Sequence, residues 1–124
     1  MIDFQNGGFF KLQMVQPGTF GGEVAPFLTD GEQIVAEFRG ARDGVVFTTK
    51  RIIAINIQGL TGKKRDYTSL PFSKIQSFSV ETAGHFDLDA ELDLWFSGIG
   101  AIRFEFAANC DVHYLCRIIS DFVL

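Results

Sequence analysis

Apolar and polar residues alternate along most of this chain, and only at its end does the period lengthen from two residues to nearly four. Ile34, Ala36 and Phe38 interleave with Val35, Glu37 and Arg39, which predicts a strand. Asp43-Gly44 then marks a hairpin, and the β-branched run Val45-Val46-Phe47-Thr48-Thr49 a second strand. Arg51 to Ile57 predicts a third, followed by the glycine-punctuated loop Gln58-Gly59-Leu60-Thr61-Gly62-Lys63-Lys64. Asp66 to Leu70 is a short fourth strand, stopped by Pro71, which cannot donate to a central ladder. Ile75, Ser77, Ser79 and Glu81 alternate with Gln76, Phe78 and Val80 in a fifth. The sixth has the cleanest pattern: Asp87, Asp89, Glu91 and Asp93 alternate with Leu88, Ala90, Leu92 and Leu94, giving one acidic and one apolar face. After the turn Ser97-Gly98-Ile99-Gly100, Ile102, Phe104 and Phe106 alternate with Arg103 and Glu105 in a seventh. From there Val112, Leu115, Cys116, Ile119, Phe122 and Val123 recur at helical spacing, with Asn109 or Asp111 available as the cap.

The first 29 residues follow neither period for long. Phe4, Phe9, Phe10, Leu12, Met14 and Val15 form an apolar lead-in that stops at Pro17-Gly18. Thr19 is expected to cap a short helix over residues 20–28 with Val24, Phe27 and Leu28 on its apolar face. The lead-in is expected to pack on its own domain or on a neighbouring subunit; as a membrane anchor it lacks the Lys and Arg of interfacial helices.

These elements predict one mainly β domain over residues 1–124: lead-in and short helix at 1–29, β-sandwich at 30–108 and C-terminal helix at 109–124. Seven antiparallel strands capped by one amphipathic helix describe a bent sandwich or partly open barrel. No strand–helix–strand alternation suggests a parallel nucleotide-binding sheet. The length suits a single domain that buries about two-thirds of its unfolded surface, and 47% apolar with 21% charged residues is an ordinary globular balance. Fourteen Phe exceed what one core of this size commonly holds, which hints at an apolar interface. A net charge of −4 and a pI near 5.0 argue against a nucleic-acid partner. Cys110 and Cys116 are too few for a disulfide framework, no apolar run reaches membrane-spanning length, and the N-terminus lacks a signal peptide's basic start. A cytoplasmic location follows as the expectation.

Three stretches carry a family likeness: Asp43-Gly44-Val45-Val46-Phe47-Thr48-Thr49-Lys50-Arg51-Ile52-Ile53, then Gln58-Gly59-Leu60-Thr61-Gly62-Lys63-Lys64, then Phe78-Ser79-Val80-Glu81-Thr82-Ala83-Gly84. In this order, with the flanking strands and final helix, they resemble the bacterial pleckstrin-homology-like family over roughly residues 30–124, leaving 1–18 outside. The resemblance implies a non-catalytic module, a homo-oligomer of the ring type with five subunits as one size, and a protein-binding role. Fold alone does not decide function.

Candidate sites follow from charge and exposure. The acidic row Asp87, Asp89, Glu91, Asp93 is expected to be solvated or to meet basic residues of a neighbouring subunit. Carboxylates two residues apart on a strand stand about 6–7 Å apart, wide for a shared ion, and Leu92 occupies the position where a calcium loop needs glycine. Trp95, on the same face as Asp93, suits an interface anchor. Lys63, Lys64 and Arg65 form a basic cluster for a partner's acidic row or for anionic lipid. The alternative function is membrane association through headgroup recognition, and Arg39 and Arg42 in the first hairpin are its candidate residues. His85, His113 and the cysteines lack zinc-ligand spacing, and neither a nucleophile elbow nor a Walker loop is present. No metal, cofactor or catalytic residue is expected. Lys50-Arg51 is expected to be structural, Arg51 satisfying carbonyls or a carboxylate near the hairpin.

Overall fold

The computed structural model describes residues 9–84, 89–107 and 110–124. It is a mainly β fold with eight described strands: β1 Phe9–Met14, β2 Ile34–Arg39, β3 Asp43–Thr48, β4 Arg51–Gln58, β5 Lys64–Pro71, β6 Ile75–Glu81, β7 Ala90–Phe96 and β8 Gly100–Phe106. The short helix α1 spans Gly21–Val24 and continues as a 3-10 turn over Ala25–Phe27; the helix α2 spans Val112–Val123. The strand order is β5-β4-β3-β2-β1-β8-β7-β6, one open sheet whose edges are β5 and β6.

The extra strand comes from the lead-in. Residues 9–14 join the two halves of the sheet, pairing antiparallel with β2 and parallel with β8. The expectation of seven wholly antiparallel strands is corrected on both counts. Alternation was hard to see there because the strand breaks register between Phe9 and Leu12, and Lys11 takes a left-handed φ of 56°.

One core lies between the halves. Phe38, Phe47 and Ile52 from the first half meet Leu92, Leu94, Phe104 and Phe106 from the second, with Leu115 and Ile119 of α2 closing the open side. Phenylalanine pairs such as Phe38 with Phe106, centroids 4.9 Å apart, join the half-sheets directly. Asp111 is the cap of α2, its Oδ1 accepting from the Tyr114 amide at 3.1 Å.

A second, smaller core lies on the outer face of β2–β5. Phe20 and Val24 cover Val46, Ile53 and Ile55 there, so this half of the sheet is buried on both faces. Glu37 anchors the cover: buried, its carboxylate accepts from the amides of Gly18 and Phe20, both at 2.7 Å. Thr19 does not cap the short helix; its hydroxyl donates to the Gln16 carbonyl at 2.6 Å, and Phe20 holds the cap position. Phe20 also explains Gly44, where a Cβ would lie 2.9 Å from the ring. The hairpin turn therefore sits at residues 40–42, closed by the Gly40 amide donating to Asp43, and the Asp43-Gly44 turn signal falls inside β3.

The loop into β2 is locked by a buried ion pair. Glu32 accepts from Arg51 Nε and from the Thr48 hydroxyl at 2.9 and 2.6 Å. Arg51 also donates to Ser69 Oγ and to the Phe27 carbonyl, the structural role expected of it. Burial would raise the Glu32 carboxyl, but the hydrogen bonds from Arg51, Thr48 and the Thr29 amide outweigh it and hold the group at about 2.

Candidate functional site

No described element covers the outer face of β6–β8. Its inward positions Leu92, Leu94, Phe96, Ile102, Phe104 and Phe106 are buried, so the residues between them face out. Strand register arranges these in three rows across the sheet: Ser77, Trp95, Ala101; Ser79, Asp93, Arg103; and Glu81, Glu91, Glu105. Trp95 is 48% exposed beside a shallow hollow of about 250 Å³ that Ser77, Ser79 and Ala101 share.

Arg103 organises the acidic part. Its Nε and Nη2 donate to the two Asp93 oxygens at 2.9 and 3.0 Å, and its Nη1 lies 3.3 Å from Glu91 Oε2. Partial burial and the nearby Glu81 and Asp93 carboxylates push the Glu91 carboxyl up, against the pull of Arg103. An internal cation thus already answers two members of the acidic row. Asp89 precedes β7 and is half-buried; Asp87 and His85 lie outside the described residues. Among the described residues no group of three or more His, Cys, Asp and Glu is arranged to hold a metal. The hairpin could have yielded this pairing, since counting outward from the Ser97-Gly98-Ile99 turn sets Asp93 opposite Arg103.

The basic cluster divides. Arg65 Nη1 donates to both oxygens of Glu23 on α1, at 2.6 and 2.8 Å, and Tyr67 donates its hydroxyl to the same carboxylate. Lys63 and Lys64 remain exposed, with no ion pair among the described residues.

Arg39 and Arg42, from the hairpin, meet Arg65 around a hollow of about 220 Å³. Arg39 lies 5.4 Å from the centroid of the Phe20 ring, and Arg42 donates to the Gly59 carbonyl at 3.2 Å. Glu23 and Asp43 line the same hollow, leaving three cations against two carboxylates. Burial raises the Asp43 carboxyl, with Arg42 pulling it down. Each arginine is thus held by a contact within the chain.

Cys110 precedes α2 and is half-buried; burial and the Asp111 charge push its thiol up to about 11, so it is a poor nucleophile. His113 is exposed on α2.

A bent open sheet with a C-terminal helix is the architecture of the pleckstrin-homology fold, and the family described as Bacterial PH domain matches residues 3–123. The chain belongs to the bacterial PH domain family. The match includes the lead-in, which the family likeness read from the sequence had left outside; β1 is the reason, because it is an integral strand. The chain is 42% identical over 100 residues to Uncharacterized protein YjqA of Bacillus subtilis (strain 168), covering 79% of this chain and 80% of that protein. Among solved structures it is similar to a DUF1696 family protein with a pleckstrin-homology domain from Shewanella loihica PV-4, at 42% identity and a TM-score of 0.77, covering 95% of this chain and all of that one. A pleckstrin homology domain from Shewanella amazonensis SB2B is similar at 40% identity and a TM-score of 0.64, covering 96% and 93%. No helix among the described residues is long and apolar enough to cross a membrane.

Proposed function

We propose that this PH domain is a non-catalytic, self-assembling scaffold of the cytoplasm that forms a ring-type homo-oligomer and binds other proteins. The observation that carries the reading is the outer face of β6–β8, which no described element covers and where a 48% exposed Trp95 stands beside an acidic patch on an otherwise well-packed domain. At the opposite side of the sheet, the end of the loop before β5 and the first residue of that strand present Lys63 and Lys64. Different surfaces meeting head to tail form a heterologous contact, and a heterologous contact that closes makes a ring. The acidic patch and the two lysines have the complementary charges such a contact uses. The family resemblance favours five subunits.

Light scattering on the purified chain tests this. The expected mass is several multiples of 13.8 kDa, falling to the monomer with Trp95→Glu or with Lys63→Glu combined with Lys64→Glu. A wild-type monomer at micromolar concentration would overturn assembly. Headgroup recognition at Arg39 and Arg42 has weaker support, because Phe20, Gly59, Glu23 and Asp43 already engage or offset those arginines. Sedimentation with anionic vesicles that is lost on changing both to Ala would favour it instead.

A further inference from the structure

The two edges of the sheet are built differently. β5 carries Lys64, Arg65 and Pro71, and Arg65 and Tyr67 tie it to Glu23 of α1. Charges, proline and a covering element are the usual guards against strand pairing. Among the described residues β6 pairs only with β7, and its sequence Ile-Gln-Ser-Phe-Ser-Val-Glu contains no Lys, Arg or Pro. Its bulge lies between Ile75 and Ser77, so Ser77–Glu81 runs in regular register with one backbone edge outward. Among the described residues no backbone hydrogen bond outside the β7 ladder involves that run. Five residues of strand span about 17 Å.

A groove of about 550 Å³ lies between this strand and α2, lined by Val80, Asp111, His113, Tyr114, Arg117 and Ser120. Tyr114 is exposed, offering a ring beside Val80. The Asp111 carboxylate is engaged as the helix cap. Arg117 is exposed, and among the described residues it makes no hydrogen bond or ion pair. Val80 brings the edge strand to the groove, so the outward backbone of Ser77–Glu81 adjoins an apolar wall of Val80 and Tyr114 and the positive charge of Arg117.

We propose that this groove binds an extended acidic segment of another protein, which adds a strand to β6 at Ser77–Glu81. Alternate side chains of the segment enter the groove, an apolar one against Val80 and Tyr114 and a carboxylate at Arg117. Backbone pairing supplies the affinity and the side-chain contacts the selectivity. The proposal rests on the protein-binding half of the scaffold reading and uses the backbone edge of β6, whose Ser77, Ser79 and Glu81 side chains also stand on the acidic face.

Panning the full chain against a displayed library of random 12-residue peptides, then synthesising the consensus, tests it. The expected consensus alternates β-branched or aromatic residues with an Asp or Glu. Bound peptide should slow amide hydrogen exchange at Ser77–Glu81. Arg117→Glu, an exposed change whose folding a thermal melt checks, should weaken binding about 10-fold, equivalent to about 1.4 kcal/mol. Failure to enrich any peptide, binding without protection of Ser77–Glu81, or unchanged affinity in Arg117→Glu would each overturn the proposal. Mass is read on the same samples. Loss of the oligomer in Arg117→Glu would make the groove a contact between copies and overturn it too. A full oligomer that binds no peptide sinks the groove alone, and a monomer that still binds sinks the assembly alone.

Discussion

The two halves of the sheet share one core and treat their outer faces in opposite ways. On β2–β5 the chain turns back over the sheet: Phe20 and Val24 seal Val46, Ile53 and Ile55, and Glu37 pins the turn that carries them. On β6–β8 no described element covers the outer face, and Trp95, Asp93, Arg103 and three glutamates stand on it. A small domain gains stability from each face it buries. The half that no described element covers, with an indole exposed, is the one the assembly proposal uses.

Substitutions should separate the shared core from the two outer faces. Phe104→Ala opens a cavity that both halves feel, through Phe47 on one side and the second-half strands on the other. It should cost about 4 kcal/mol and lower the urea midpoint in one cooperative transition. Two separated transitions would show that the halves are independent units.

Acid should act next, through the first half. The Glu32 carboxyl is held at about 2, below the ordinary 4.5. A depressed carboxylate contributes stability in full above its unfolded value and loses it as pH falls through the folded one. About 3 kcal/mol should therefore be present at pH 6 and vanish between roughly pH 4.5 and 2. Urea midpoints measured across that window check this, and Glu32→Gln should flatten that part of the curve.

Glu37→Gln leaves one carbonyl oxygen for two amides and removes the charge that strengthened both bonds. About 2 kcal/mol is expected to be lost, with faster amide exchange at Gly18 and Phe20. The same substitution should leave the mass in solution unchanged, because Glu37 pins the turn at Gly18 and Phe20 and belongs to neither surface of the proposed contact, Trp95 with the acidic patch or Lys63 with Lys64. A change in mass would erase the distinction between the halves.

The smallest effect belongs to the bare face. Arg103 is half-exposed, so Arg103→Ala should leave the urea midpoint almost unchanged, despite its contacts to Asp93 and Glu91. Its consequence should appear in assembly, since removing the internal cation leaves the acidic patch unanswered and increases its pull on Lys63 and Lys64 of a neighbour. Equal mass and equal salt sensitivity in wild type and variant would count against the charge contact.

Strand alternation made much of this legible. The acidic row and the Phe104–Phe106 pattern identified which face of β7 and β8 looks outward, because side chains on a strand have a period of two whatever they pack against. Glu37 is the counterexample. Its place among Val35 and Arg39 marks it as one of the outward set, yet it is buried, because residues 16–21 fold over it from 17–19 positions away. Arg39 and Arg42 show the same limit: their proximity to Arg65, Glu23 and Asp43 arises from three separate elements converging on one hollow.

By itself the chain's periodicity determined the strands β2 to β8, the amphipathic closing helix and the outward direction of Glu91, Asp93 and Trp95, since these depend on neighbours a few residues apart. Tertiary structure alone decided that residues 9–14 bridge the halves, that Arg103 answers Asp93 and Glu91, and that Phe20 and Val24 cover one half while no described element covers the other. Those outcomes depend on contacts between distant segments, whose long-range packing outweighs local pattern and cannot be expressed by it.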